Sequence, residues 1–234
     1  MKQGKLGVLG GMGPQATLTF YQRVLDVTDA ASDQAHLPTL ILSDTAMPDR
    51  TAALLSGNEQ PVRERLLADC RTLEDWGATA IAITCNTSHA FLPAILPQLK
   101  VPVVNMITET AAALQKLGDK KAVLLATDGT VQSGLYHRAC KSVGIQLVHP
   151  DPATQRQVMS LIYDYVKAGN MGDGSIFAPI DAFARSQGVD RAILACTELS
   201  VYRDWAKLSD FYLDAMDVLA RRSVEVCGYP LRHP

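Results

Sequence analysis

Cys85 and Cys196 are the residues whose type and setting point most directly to chemistry. Each closes an apolar run, Ile81–Cys85 (IAITC) and Ala192–Cys196 (AILAC), and each leads into polar neighbours, Asn86 and Thr87 in one case, Thr197 and Glu198 in the other. In open parallel sheets the carboxyl ends of strands face the loops and helix starts where function collects. A helix start presents free N–H groups and partial positive charge. It binds carboxylates and is expected to lower a thiol pKa from about 8.5 into the range of roughly 3.5–7.5. One thiolate and one thiol on opposite sides of a carbon can take a proton from one face and return one to the other. Such a pair inverts a stereocentre without calling on a metal or a redox partner. A single strand-end cysteine is more often a small buried hydrophobe; two at matching places, both in polar settings, favour the chemical reading.

The other three cysteines read as core. Cys70 shares a helical pattern with Leu66, Leu67 and Leu73, and Cys140 and Cys227 fall in late helical turns. The count is odd and no C-x-x-C pair occurs, so disulfides are not expected. His36, His137, His149 and His233 have no ligand spacing, and no metal is assigned. His89 follows Cys85 by one helical turn, so it either tunes the thiol or is a buried structural histidine.

Among the neighbours, Gly11-Met12-Gly13 forms the first strand-to-helix turn, where glycine allows close backbone approach to a ligand and Pro14 suits a first helical turn. The same residues fit G-x-G-x-x-A, but a dinucleotide site expects an acidic residue ~20 positions on. Asp44, the plausible one, lies well beyond that. Arg50 sits on a loop after the second strand, where its guanidinium is suited to a bidentate grip on a carboxylate. Lys167 lies near a helix end. On sequence alone each is equally a solvated surface charge, and Asn86 and Thr87 are equally helix caps.

These residues need a framework to hold them. Short apolar runs at Leu6–Leu9, Thr39–Leu42, Ala80–Thr84, Val101–Val104, Ala122–Ala126, Ile145–Val148 and Arg191–Ala195, with a weaker one near Phe211, alternate with helix-period segments. The clearest of these are Gln15–Ala31, Gln60–Trp76, Val131–Lys141, Ala153–Lys167 and Ile176–Gln187. That alternation is the mark of an α/β protein with buried parallel sheets. It also repeats: Leu6–Pro14 resembles Ala122–Thr130, and Ile81–His89 resembles Ala192–Ser200. Two similar lobes related by a pseudo-two-fold internal duplication are expected, with the cysteines facing each other across the cleft between them. The lobe boundary is placed near Ile107.

Composition narrows the partners. Apolar residues make up 47% of the 234, ample for a core, and the formal net charge is −2 with basic residues scattered along the chain. Nucleic acid and anionic membrane are therefore poor candidates. The N-terminal stretch has no signal-peptide pattern, and no apolar run approaches the ~18 residues of a membrane span. A cytoplasmic protein is the expectation.

LGGMGP at Leu9–Pro14, MPDRT at Met47–Thr51, TCNTSH at Thr84–His89, LLATDGT at Leu124–Thr130 and ACTEL at Ala195–Leu199 occur in this order over nearly the whole chain. Together they resemble the aspartate/glutamate racemase family, in its aspartate branch. Where glutamate racemases carry an Asp-Ser-Gly turn and a His after the second Cys-Thr, this chain has Gly-Gly-Met and Glu198. The resemblance implies a cofactor-independent racemase of aspartate in which Cys85 and Cys196 are the paired acid and base. It places Met12, next to the Gly11 of the glycine turn, beside the substrate, the substrate carboxylate near Asn86 and Thr87, and Arg50 and Lys167 at the side-chain carboxylate. Backbone N–H groups at Thr197 and Glu198 would face the developing charge, and Thr130 would add a hydroxyl contact. It further implies a homodimer, and return of the segment after Asp210 to the first lobe, so that the lobes span 1–107 plus 211–234 and 108–210. Glutamate or broad amino-acid specificity, a related isomerase, and a non-catalytic amino-acid-binding protein remain as alternatives.

Overall fold

The computed structural model describes residues 3–232, so His233 lies outside the described residues, as do the outermost ends of the expected first lobe. Among the described residues, eight strands form two parallel sheets of four. In chain order the first half carries β1 (Leu6–Gly10), α1 (Pro14–Val27), β2 (Thr39–Ser43), α2 (Arg50–Ser56), α3 (Gln60–Asp75), β3 (Ala80–Ile83), α4 (Leu92–Ile95), β4 (Val103–Val104) and α5 (Met106–Leu117). The second carries β5 (Lys121–Ala126), α6 (Asp128–Ser133), α7 (Leu135–Ser142), β6 (Gln146–Val148), α8 (Pro152–Ser160), α9 (Ala178–Ser186), β7 (Arg191–Ala195), α10 (Thr197–Ala206), β8 (Tyr212–Asp214) and α11 (Ala215–Val226). The sheet orders β2-β1-β3-β4 and β6-β5-β7-β8 match strand for strand, the duplication expected from the repeated motifs.

The central strands are buried on both faces, which is why their sequences read as unbroken apolar runs. Every residue of β1 and β3 is buried. Register carries the cysteines to equivalent places. β1 pairs with β3 as Leu9↔Ile83, and β5 pairs with β7 as Ala126↔Ala195, so Cys85 and Cys196 leave the carboxyl ends of matching strands.

The last strand of each sheet hands its helix to the other lobe. Asn105 after β4 caps α5 by accepting from Ile107 N at 3.0 Å, and Asp214 at the end of β8 caps α11 by accepting from Met216 N at 2.9 Å. Ile107, Ala111 and Leu114 of α5 then pack with Leu124, Tyr136 and Ile193 of the second lobe. Met216, Leu219 and Val224 of α11 pack with Leu6, Val8 and Phe20 of the first. The strand near Phe211 therefore departs from the expected boundary. It pairs with β7 as Ile193↔Leu213 and extends the second sheet, and only the helix after it crosses back. Strand pairing decides this, and apolar periodicity does not encode which sheet a strand joins.

Two expected helices are broken. Val131–Lys141 is interrupted at Gly134, which separates α6 from α7. Ala153–Lys167 begins as α8, loosens into a π-helical turn at Leu161–Tyr165 and tightens into a 3₁₀ turn at Val166–Ala168. Such π turns shift side chains around the helix and are frequent at functional sites. Among the described residues no helix is long and apolar enough to cross a membrane, and no group of three or more His, Cys, Asp or Glu is placed to hold a metal. All five cysteines are free and buried.

Candidate active site

Cys85 and Cys196 line one small, tight cavity between the lobes with Met12, Arg50, Asn86, Thr87, Lys167, Thr197 and Glu198. Each thiol is only 6% exposed. A wider cleft of about 540 Å³ shares Met12, Arg50, Lys167 and Glu198 with this cavity, and Gly11 lines it too. The first turn can lie against the backbone of Asp44 only because residue 11 is glycine. Its φ is +87°, and an added Cβ would sit 2.5 Å from the Asp44 backbone.

The two thiols have opposite neighbours. Arg50, 8% exposed, starts α2 and donates to Pro48 O at 3.0 Å and Met12 O at 3.3 Å. Burial works against its charge, but Cys85, and after it Asp49 and Glu198, outweigh that and hold its pKa above the ordinary arginine value. Its Nε has no hydrogen-bond partner among the described residues. Around Cys196 the sign is reversed. Its Sγ donates to Glu198 Oε2 at 2.9 Å, and Lys167 Nζ lies 2.8 Å from Oε1 of the same carboxylate. Burial first and the Glu198 charge second push the Cys196 thiol well above the ordinary cysteine range, against the pull of Lys167. The expected lowering of a thiol pKa at a helix start therefore fails at Cys196, the N-cap residue of α10. A full carboxylate at hydrogen-bond distance and a buried site outweigh a helix end that carries about half a charge.

Polar contacts between the lobes form the floor of the cavity. Thr87 Oγ1 lies 2.8 Å from Thr130 Oγ1 and 3.0 Å from Thr127 Oγ1. Tyr136 of α7 donates to Asn86 Oδ1 at 2.6 Å. At Gly129 an added Cβ would meet Thr51 Cα at 2.9 Å, so α2 and α6 approach closely there. Thr130 is thus spent on this floor: it is 1% exposed and stands behind the cavity wall, while Thr127 takes the lining position expected for it. His89 does not reach the Cys85 sulfur. Its Nδ1 lies 2.9 Å from Cys85 O, and its Nε2 accepts from Met106 N at 3.1 Å. That pattern requires a neutral ring with the proton on Nδ1. Burial lowers the His89 pKa in keeping with it.

Sequence reading missed Thr51, Thr127, Tyr136 and Tyr163. Thr51 and Thr127 stand inside the motifs MPDRT and LLATDGT, so a signal existed. Tyr163 had none, because the π turn that aims it is invisible in apolar periodicity. Its hydroxyl donates to Asp49 Oδ2 at 3.2 Å across the cleft, and Lys167 Nζ stands 5.5 Å from its ring centre.

Residues 9–222 match the Asp/Glu/Hydantoin racemase family. The chain is 28% identical over 222 residues to a broad specificity amino-acid racemase of Bacillus subtilis (strain 168), covering 94% of this chain and 96% of that one. It superposes on the aspartate racemase of Picrophilus torridus with a TM-score of 0.86 at 33% identity, over 98% of this chain and 96% of that one. A glutamate racemase of Thermus thermophilus shares the fold, with a TM-score of 0.69 at 23% identity over 97% of this chain and 82% of that one. The chain belongs to the Asp/Glu/Hydantoin racemase family, and the Bacillus subtilis and Picrophilus torridus relatives support activity as an amino-acid racemase.

Proposed function

We propose that this member of the Asp/Glu/Hydantoin racemase family interconverts L- and D-aspartate, with Cys85 and Cys196 exchanging protons at Cα and no cofactor taking part. One observation carries the reading. Two buried thiols line the same small cavity, one beside a cation and the other hydrogen-bonded to an anion.

Cys196 holds its proton against Glu198, and Arg50 stands beside Cys85 as a counter-charge when that sulfur is the thiolate. The Cys85 thiolate takes the α-proton of one enantiomer. An S–H bond forms, and the C–H electron pair moves into the α-carboxylate. Cys196 then gives its proton to the opposite face and is left as the thiolate, so the two sulfurs have traded states. The other enantiomer is processed from that second form. The free Asn86 NH₂ and the backbone N–H groups of Asn86, Thr87, Thr197 and Glu198 supply donors to the enediolate-like charge. Such donors act most strongly in a site closed to water.

Arg50 is the residue best placed to hold a side-chain carboxylate, since Lys167 is already paired with Glu198. That pairing also favours a second reading. With one of two cations neutralised, the pocket demands an acidic side chain less strictly, and the Bacillus subtilis relative is named for broad specificity. Within the proposal the protein works in the cytoplasm and as a homodimer, the latter as the family resemblance implies.

Incubation with L-aspartate in D₂O, without added cofactor, tests the central claim. D-Aspartate accumulates and deuterium enters Cα in step with it. Absence of both signals after prolonged incubation would falsify the racemase reading, and equal rates on alanine and aspartate would replace it with the broad one.

A further inference from the structure

We propose that Tyr136 is a positioning residue that locks the Asn86 amide with its NH₂ toward the substrate carboxylate. The inference rests on the racemase reading above. Asn86 is 3% exposed and lines the cavity with both thiols. A side-chain amide has an accepting end and a donating end, and turning it over exchanges them. Tyr136, fully buried on α7 of the other lobe, donates its phenolic proton to Asn86 Oδ1 at 2.6 Å. The accepting end is thereby occupied. Asn86 Nδ2 is buried and has no partner among the described residues. Leaving a buried donor unpaired is costly, so this NH₂ is held ready for an acceptor that enters the cavity. A carboxylate is the acceptor that the two-thiol chemistry brings there.

Burial pushes the Tyr136 pKa up, so the phenol keeps the proton it donates. The bond is also an interlobe one: a helix of the second lobe sets the orientation of a binding group of the first. Without it the amide is free to turn, and half of its orientations present an oxygen to the incoming carboxylate.

The test is a double-mutant cycle read on kcat/KM for L-aspartate, with L-aspartate binding measured by calorimetry on the same proteins. Asn86→Ala lowers kcat/KM about 100-fold. Tyr136→Phe, which removes one oxygen and leaves the ring to fill its site, lowers it about tenfold and weakens aspartate binding in parallel. In the Asn86→Ala background the tyrosine substitution costs less than twofold, since the group it positions is gone. An equal tenfold loss in both backgrounds would overturn the proposal, because the phenol would then be acting through packing. If Tyr136→Phe does not fold, the side-chain amide signal of Asn86 in the wild-type ¹⁵N spectrum decides: it shifts on adding L-aspartate, and an unmoved signal overturns the assignment. The binding arms are independent of turnover, so loss of the racemase reading alone would leave the coupling between Tyr136 and Asn86 measurable.

Discussion

The two cysteine-bearing strand ends begin from matching sequence and finish in different chemistry. After Cys85 the chain makes a 3₁₀ turn at Thr87–Phe91, and the strand end is braced from behind by neutral His89, which links Cys85 O to the first N–H of α5. After Cys196 the chain enters the regular helix α10 at once, and a carboxylate from its first turn holds the thiol proton. Duplication thus supplied two geometrically equivalent sulfurs, and later neighbours made them electrically unequal: Arg50 on one side, Glu198 with Lys167 on the other. Under the proposed mechanism, symmetry of backbone would place an acid and a base across a stereocentre, and asymmetry of side chains would make the two unequal.

The sharpest way to break this comparison is to remove one sulfur at a time. Cys85→Ala and Cys196→Ala should each reduce racemisation by about 100-fold to 10,000-fold, the range a positioned acid or base contributes. Chiral chromatography in both directions would show it. A variant that keeps near wild-type rates both ways would mean that the sulfurs are not a pair.

A smaller effect is expected at the carboxylate. Glu198→Gln removes the negative charge that, second to burial, keeps the Cys196 thiol protonated. The Cys196 pKa should fall. In the wild type its alkylation by iodoacetamide should stay slow until the pH is well above the ordinary cysteine range, and in the variant the rise should begin at lower pH. Mass-spectrometric mapping of the labelled thiol checks this, and an unchanged profile would assign the protonation of Cys196 to burial alone.

The smallest contrast concerns the two cations. A charge-assisted hydrogen bond contributes about 1.5–3 kcal/mol. Arg50→Ala should therefore lower kcat/KM for aspartate roughly 10- to 100-fold more than for alanine. Lys167→Ala should discriminate less, because Lys167 already spends its charge on Glu198. Equal selectivity losses at the two positions would show that Lys167 leaves Glu198 to meet the substrate.

Much of this framework was legible beforehand because it depends on burial. A strand covered on both faces must be apolar throughout, and β1, β3, β5 and β7 announced themselves that way. The repeated Cys motifs survived as motifs because they sit at fixed strand ends. Lobe membership of β8 was not legible, since a three-residue strand carries no record of its partner strand. The same holds for Tyr163, aimed by a π turn, and for Thr130, whose hydroxyl faces the floor while Thr127 faces the cavity. Choices of one rotamer or one residue of register leave no trace in composition or periodicity. The sign of the Cys196 shift was missed for a related reason: Glu198 was read for its backbone N–H, and its side chain folds back onto the thiol.

The exchange of α5 and α11 between the lobes has a kinetic consequence. The apolar side of α1 is closed by a helix that begins at Ala215, almost a full chain length later. During synthesis the earlier half must therefore wait, its core open, until the last helix has left the ribosome. Pairings this distant in sequence slow folding, and chains shortened before Ala215 should expose that unfilled surface and aggregate.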